Sequence, residues 1–302
     1  MSVTLKHFLK IALRMPIRLA IVRTLKKIGC NFLWVQKLDF KLSPDFMRPS
    51  KSSKILLENM DNINIGLTQL NDIIPNSTVL EIGCGRYLGL APLTICLGAQ
   101  RYIGVDPSFE RVAINLDKTS TEFLTKTLKE TELILSGAEL TAGQPQPLKN
   151  KIEMEEFFEK SSFVRLKIDQ IQLDSKIDVC FSISCLEHIQ NFSQACDTLA
   201  KLSNPNTIHY HIVNFSNHIS KKQPFGELYE SSYEVFAKKW NNNINGLRVT
   251  DMLRLFENAN IKVRSITVSK DLEMLPSRID NYWTSKYNKD VLATRVAVIT
   301  NL

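Results

Sequence analysis

A glycine-rich turn and two acidic residues near it have the spacing of a ligand-binding loop. The stretch VLEIGCGRYLG at 79–89 predicts a strand, a glycine turn and the start of a helix, and RYIGVD predicts a second strand ending at Asp106. Gly83 and Gly85 would let the backbone approach a ligand closely, and Asp106 could accept hydrogen bonds from ribose hydroxyls. This is how an open α/β sheet holds an adenosine group. Glu81 stands two places before the first glycine, where an acid suits a ligand with a cationic amino-acid end.

This stretch resembles motif I of the class I S-adenosylmethionine-dependent methyltransferases, whose cofactor carries a methionine ammonium and a sulfonium. The resemblance implies that Glu81 lies near the methionine amino group and that Asp106 holds the ribose. Asp169, after a predicted third strand, would contact the adenine amino group or cap a helix. Position 87, often glycine in the family, is Tyr87 here, and the third glycine is displaced to Gly89. The cofactor-binding residues expected from the match are Glu81, Gly83, Cys84, Gly85, Asp106, Pro107, Asp169 and Ser184.

A second feature of the same family is the segment SISCLEHI, residues 182–189. In a large branch of these methyltransferases the fourth strand ends in a similar Leu-Glu-His triplet, at the carboxyl edge of the sheet where the methyl group meets its acceptor. The triplet directly follows the apolar run 177–184, which is typical of a buried parallel strand. The resemblance covers residues 78–215 and strengthens the family interpretation well beyond the glycines.

The resemblance implies an α/β fold, a Rossmann-like seven-stranded mixed sheet with one antiparallel strand. We expect a basic helical extension and linker over 1–50 and a methyltransferase domain over 51–302. Residues 120–160 would form a helical insertion, either a lid or an inert surface excursion. Further elements expected from the pattern are a helix at 55–71, one helix after Asp106, a third strand at 162–168, a helix at 191–202, a fifth strand from 206, a mainly helical segment at 226–260, and strands near 261–269 and 291–300.

Four of the five histidines lie between residues 188 and 218. Methyl transfer to a hydroxyl requires an aligned acceptor and a group that removes its proton, and histidine suits that role near neutral pH. We predict His188 or His218 as the base, with His211 supporting it and Glu187 beside it; each histidine could equally be a packed or surface residue. A metal cluster of Glu187, His188 and His211 is possible in principle, but the spacing does not establish one and no metal is expected.

Residues 211–248 resemble a subfamily pattern in which a histidine-containing strand and loop precede an aromatic helix and an Asn-x-Leu-Arg turn. Asn245 and Arg248 keep this pattern, and by position the region would wall the acceptor pocket. Arg248 could bind a carboxylate or phosphate of the substrate through two hydrogen bonds. Alternatively, it is an N-terminal helix residue paired with Asp251 or Glu257.

The positive charge of the chain is concentrated at its beginning. The net charge is +7, and residues 1–38 hold eight Lys or Arg and no acid, which leaves 30 basic against 31 acidic residues elsewhere. A near-neutral core argues against a nucleic-acid substrate.

Basic and apolar residues alternate at helical spacing over 4–36, so this segment could lie on an anionic membrane surface, dock on the protein's own sheet edge, form a dimer contact or act as a presequence. The six cysteines show no metal-binding spacing and indicate reduced thiols in a cytoplasmic protein.

These features together predict an S-adenosylmethionine-dependent methyltransferase that acts on a small-molecule, sugar or lipid-linked acceptor, at oxygen rather than nitrogen or carbon. An NAD(P)-dependent oxidoreductase would share the glycines and Asp106 but would not explain Glu81 or the Leu-Glu-His triplet. A catalytically silent S-adenosylmethionine-binding scaffold would share all of them. The acceptor and the oligomeric state are left open by the sequence.

Overall fold

The computed structural model describes residue 22 and residues 33–43, 50–63, 67–115, 117–141 and 154–302. The greater part of the predicted extension lies outside these residues, including all of the proposed membrane contact of 4–36 except residues 22 and 33–36, and so does the middle of the predicted insertion. The helices are α1 Leu33–Lys41, α2 Lys51–Asn62, α3 Leu67–Ile73, α4 Ala91–Cys96, α5 Lys118–Thr141, α6 Met154–Lys160, α7 Phe192–Leu202, α8 Tyr233–Trp240, α9 Val249–Asn258, α10 Asn281–Thr284 and α11 Lys289–Leu292. The strands are β1 Thr78–Ile82, β2 Arg101–Val105, β3 Ser161–Val164, β4 Ile177–Ile183, β5 Ser203–Asn214, β6 Arg264–Lys270 and β7 Thr294–Thr300.

The strands form one sheet in the order β3-β2-β1-β4-β5-β7-β6. Strand β7 runs antiparallel to both β5 and β6, while the pairs among β1 to β5 are parallel. The expected seven-stranded mixed sheet with one antiparallel strand is therefore confirmed. The strand order reverses between β1 and β4, so their following loops lead away to opposite sides. Such a switch point leaves a ligand-binding crevice at the carboxyl ends of the strands.

The two faces of the sheet are covered by two separate apolar layers. Along β4, Val179 and Phe181 pack into one layer and Cys180 into the other, because successive side chains of a strand point to opposite faces. The second layer is covered by α7 and α9. In α9, Met252 and Phe256 are four residues apart and therefore lie on one helix face. The central strands are thus buried on both sides, which fixes their position relative to the helices.

Three local predictions differ from the structure. The third strand ends at Val164 because its partner β2 ends at Val105, the residue paired with it, and leaves no backbone to bond with the following residues. The helix expected at 55–71 is two helices, α2 and α3. In place of the helix expected after Asp106 there is a single 3-10 turn, and α5 then runs 24 residues into the predicted insertion.

Within the described ranges, none of the helices combines the length and the apolar character that crossing a membrane requires.

Candidate active site

Two cavities meet at the carboxyl ends of β1, β2 and β4. The larger has a volume of about 590 Å³, and the smaller of about 240 Å³. Both are lined by Gly83, Gly85 and Ser184. Among the predicted site residues, the larger cavity is also lined by Asp106, Pro107, Asp169 and His188, and the smaller one by Glu81 and Cys84.

The glycine turn after β1 is shaped by two left-handed residues. Gly83 has φ +78°, and a Cβ there would lie 2.4 Å from the Sγ atom of Cys185. Gly85 has φ +73°, but a Cβ there would meet nothing within 4 Å. The first glycine is therefore needed for packing against the loop after β4, whereas the second leaves open space where the two cavities join.

Gly83→Ala is expected to lower the free energy of unfolding by about 2–5 kcal/mol. The left-handed backbone costs an alanine about 1–2 kcal/mol, and the overlap with Cys185 adds about 1–3 kcal/mol. Gly85→Ala is the matched control, with a similar φ and no overlap, and should cost about 1–2 kcal/mol. Urea denaturation of both variants measures the difference; equal losses would contradict the packing argument.

Asp106 follows β2 and is held by the glycine turn itself. One carboxylate oxygen, Oδ2, accepts a hydrogen bond of 3.0 Å from the backbone N–H of Gly85. The other, Oδ1, accepts one of 2.6 Å from the backbone N–H of Ser108 and a second from the Ser108 hydroxyl. A carboxylate oxygen has two lone pairs, so only Oδ2 keeps one that is not engaged by these bonds. The carboxylate is thereby oriented at the cavity wall with one acceptor site left, on Oδ2, for a hydroxyl group of a ligand.

Asp169 lies five residues beyond the end of β3, in a 3-10 turn over Ile168–Gln170, and not at the end of a strand as predicted. It still lines the larger cavity. Its Oδ1 atom is buried and has no hydrogen-bond partner among the described residues. A buried acceptor without a donor is costly, so an amino group of a ligand in the cavity would stabilise it.

Glu81 is almost fully buried, at 1% exposure, and borders the smaller cavity. Its Oε2 atom accepts hydrogen bonds from the Tyr102 hydroxyl and, at 2.6 Å, from the backbone N–H of Leu90. Burial raises the pKa of Glu81 to about 7, against the opposing effect of these two hydrogen bonds. A cationic group in the smaller cavity would favour its charged form.

The Leu-Glu-His triplet forms a 3-10 turn directly after β4, at Leu186–His188. His188 lines the larger cavity, and its Nδ1 lies 2.5 Å from the carbonyl oxygen of Asn243. A carbonyl only accepts, so this nitrogen carries the proton. In the neutral imidazole Nε2 is then the nitrogen with a free lone pair.

Glu187 and His218 form a pair behind His188. Glu187 is buried, and its Oε1 lies 3.5 Å from Nε2 of His218, which also lies 3.2 Å from the carbonyl oxygen of Asn214. The rings of His188 and His218 are 4.8 Å apart. Burial lowers the pKa of His218, but the adjacent carboxylate of Glu187 outweighs it and leaves this pKa above its ordinary value. The structure thus places His218, and not His211, with Glu187 and His188; one ligand atom from each lies within 4.8 Å of the others, so a cation could also be held there.

Glu187→Gln is expected to destabilise the protein more at acidic than at alkaline pH. Because the folded-state pKa of His218 is raised, the pair contributes fully below the unfolded pKa of about 6.5 and loses its contribution as pH rises through the folded value. Urea denaturation of both proteins at about pH 5.5 and about pH 8.5 measures this. A difference that grows with rising pH would show that His218 is not charged by Glu187.

Asn245 holds the triplet from outside the cavities. Its amide nitrogen donates to the carbonyl oxygens of Leu186 at 2.8 Å and Ile189 at 3.0 Å, and its backbone N–H donates to the carbonyl of Glu187 at 2.7 Å. The residue was predicted to contact substrate, but it lines neither of the two cavities. Its contacts instead fix the turn that carries His188, a role that the sequence pattern did not indicate.

Arg248 does not lie where a substrate anion could reach it. It is 1% exposed and lines neither cavity, and its Nη1 donates to the Phe215 carbonyl at 2.8 Å and to the Tyr229 hydroxyl at 3.0 Å. The rings of Phe215, Tyr229 and Trp283 surround the guanidinium at 5.4–5.6 Å. Only its backbone N–H bonds Asp251, at the start of α9. The prediction of a substrate-binding arginine is corrected: the guanidinium joins the loop after β5 to an aromatic cluster.

His211 is also separate from the triplet. It lies in β5 with no exposed surface, stacked on Phe256 in the apolar layer beneath α9, and its Nδ1 lies 2.9 Å from the Ser182 hydroxyl. Burial holds its pKa well below the ordinary histidine value, helped by neighbouring His209. His211 was predicted to support the base, but it lines neither cavity and does not contact His188 or His218 in the cluster with Glu187.

A family model described as a methyltransferase domain matches residues 57–266. The chain belongs to this methyltransferase family. It is an enzyme that uses S-adenosylmethionine as cofactor. A search of curated proteins gives no match. The oxidoreductase alternative is set aside by the family membership.

The methyltransferase is also similar to solved structures, at low identity. One is an S-adenosylmethionine dependent methyltransferase from Listeria monocytogenes, with 13% identity over 77% of this chain and 94% of that chain and a TM-score of 0.39. Another, from Mesorhizobium loti, has 11% identity over 78% and 94% and a TM-score of 0.41. Phosphoethanolamine N-methyltransferase 2 of Haemonchus contortus, in complex with S-adenosyl-L-methionine, has 13% identity over 67% of this chain and 39% of that chain, with a TM-score of 0.38. The family membership rests on the match over 57–266 and not on these distant likenesses.

The residues around the two cavities fit this cofactor. The space beside Gly85 would be filled by any side chain, and Oδ2 of Asp106 keeps a lone pair for a ribose hydroxyl. The unpartnered oxygen of Asp169 suits an adenine amino group, and the buried carboxylate of Glu81 suits a methionine ammonium. These individual roles stay predictions, and each has a geometry that permits it.

Proposed function

We propose that this methyltransferase acts on a hydroxyl group of a small-molecule or sugar acceptor, with His188 as the general base. The observation that carries this proposal is the hydrogen bond from Nδ1 of His188 to the Asn243 carbonyl, which leaves Nε2 as the basic nitrogen of a residue that lines the cavity. His218 lines neither cavity, and its Nε2 faces Asn214 and Glu187. The choice between the two predicted bases therefore favours His188.

S-adenosylmethionine, held by the glycine turn and Asp106, would supply an electrophilic methyl group, with S-adenosylhomocysteine as the co-product. The chain has two further tasks. It holds the acceptor hydroxyl in line, and Nε2 of His188 takes the hydroxyl proton as the oxygen–methyl bond forms. The carboxylate of Glu187, close behind, offsets the positive charge that the imidazole then gains. Asn245 keeps the turn in place throughout, since it bonds the backbone on both sides of His188.

The mouth of the larger cavity favours a polar, hydroxyl-rich acceptor. Lys167, Gln190 and Asn191 line this cavity as His188 does, and their side chains can donate hydrogen bonds to sugar oxygens. The eight basic residues of 1–38, with no acid among them, further support an acceptor carried on an anionic lipid surface. Sedimentation with anionic and with neutral vesicles tests this part: binding only to anionic vesicles, lost at high salt, is expected.

The reaction is tested with labelled S-adenosylmethionine and sugar, glycolipid, phenol and amine acceptors. We expect label in an O-methyl group, identified by NMR of the product, and no loss of activity with EDTA. Transfer to nitrogen or carbon would overturn the oxygen assignment. Activity that EDTA removes and a divalent cation restores would replace the base by a cation held by Glu187, His188 and His218.

A further inference from the structure

A second group of ligating side chains lies in the core, on the face of the sheet covered by α7 and α9. Cys180 of β4 is paired in register with His209 of β5, and Ser182 is paired with His211. Cys180, His209 and His211 therefore point to the same face from adjacent positions. They are 0%, 2% and 0% exposed. One ligand atom from each of the three residues lies within 4.8 Å of the other two.

Each imidazole has one nitrogen engaged and one unpartnered. Nε2 of His209 lies 3.3 Å from the Ser203 hydroxyl, and Nδ1 of His211 lies 2.9 Å from the Ser182 hydroxyl. The remaining nitrogens, Nδ1 of His209 and Nε2 of His211, are buried and have no hydrogen-bond partner among the described residues. Two such atoms in one cluster are costly, because each has lost water without gaining a replacement. A metal-bound histidine usually donates its other ring N–H to a nearby acceptor, and each serine hydroxyl here can accept such a bond.

We propose that Cys180, His209 and His211 bind one thiophilic metal ion, Cu(I) in preference to Zn(II). Two imidazole nitrogens and one thiolate are a donor set that copper and zinc both accept. The surroundings favour the monovalent ion: Phe256 stacks on His211 at 5.5 Å, and the neighbouring residues of this layer are apolar. Cu(I) with one thiolate is neutral, whereas Zn(II) with one thiolate leaves a net positive charge in an apolar core, which is unfavourable.

An entry path exists at the amino-terminal end of β5. His209 borders a cavity of about 500 Å³ that is also lined by Ser203, Thr207 and Ile261. This cavity lies at the edge of the sheet opposite the cofactor crevice, so the metal site is separate from methyl transfer. Cys180 lies in β4, and His209 and His211 lie in β5, so a bound ion would cross-link these two strands. The Leu-Glu-His triplet follows β4, and the loop with His218 follows β5.

The test uses the reduced full-length protein, titrated anaerobically with Cu(I) against a chromophoric chelator and in parallel with Zn(II). We expect one Cu(I) per chain, bound more tightly than zinc. The affinity should fall about 100-fold or more in Cys180→Ser, since a thiolate ligand is lost. Cys196→Ser is the matched control, because Cys196 is equally buried in the same apolar layer but is not among the three ligands.

X-ray absorption of the copper-loaded wild-type protein keeps the test independent of variant folding. One sulfur and two imidazole nitrogens around copper would support the proposal. Zinc bound more tightly but with the same dependence on Cys180 would keep the site and overturn the charge argument. Copper binding that is unchanged in Cys180→Ser, a coordination shell without imidazole, or no binding of either ion would overturn the site.

Discussion

Asp106→Ala is expected to weaken binding of S-adenosylhomocysteine about 100-fold, which is about 2.7 kcal/mol. A hydrogen bond to a charged group contributes about 1.5–3 kcal/mol, and Oδ2 of Asp106 has a lone pair left for one ribose hydroxyl. The change also removes the acceptor that Gly85 N–H bonds at 3.0 Å, so the glycine turn loses its anchor to β2. Both effects act on the cofactor, and no other predicted site residue combines them.

Isothermal titration of the purified variant with S-adenosylhomocysteine measures this loss. Asp174→Ala is the control, because Asp174 is exposed and lines neither cavity, and its affinity should equal that of the wild type. Urea denaturation of Asp106→Ala checks that the domain still folds. An affinity within about threefold of the wild type would show that the ribose is held elsewhere, since a single lost hydrogen bond already costs more.

His188→Gln is expected to lower kcat by about 100- to 10,000-fold, the usual contribution of a general base. Gln keeps a side-chain amide that can donate to the Asn243 carbonyl, so the turn after β4 should stay in place while the basic nitrogen is lost. Affinity for S-adenosylhomocysteine should change little, because the predicted cofactor contacts come from other residues. Methyl transfer under saturating cofactor, alongside the titration, separates the two effects.

His218→Gln is the comparison that decides between the two histidines. His218 lines neither cavity, so its loss should reduce kcat far less than the loss of His188. If the two variants lose activity equally, the pair acts as one unit. If only His218→Gln is inactive, the base assignment moves to His218, and the lone pair freed by the Asn243 bond has no role in proton transfer.

Local pattern was sufficient to predict the parts of the site that follow directly from strands. The glycine turn, Asp106 and the Leu-Glu-His triplet each come immediately after a buried strand, and the carboxyl ends of parallel strands meet at one edge of the sheet. Their convergence therefore follows once these strands are parallel, and the fold implied by the resemblance has only one antiparallel strand. The resemblance likewise implied one antiparallel strand, and the structure shows that this strand is β7, which pairs with β5 and β6.

The local position of Asp169 could not be predicted from a pattern in the sequence around it. It lines the cavity as expected, yet it does so from a 3-10 turn, because the length of β3 depends on where its partner β2 ends. The strand that pairs with β3 lies about sixty positions earlier in the chain, so the residues 162–168 alone do not show where β3 ends.

The sequence by itself determined the fold class, the family and the cofactor loop, because these depend on short segments with a regular period and on glycines with a special backbone. Only the tertiary structure decided which polar side chains reach the cavity. His188 faces it, His211 is buried under Phe256, and Arg248 is enclosed by aromatic rings. Alternation along a strand tells which residues share a face, but whether that face is a cavity or a packed layer depends on helices far away in the chain. The burial of each side chain, and with it the chemistry available to it, is set by those distant contacts.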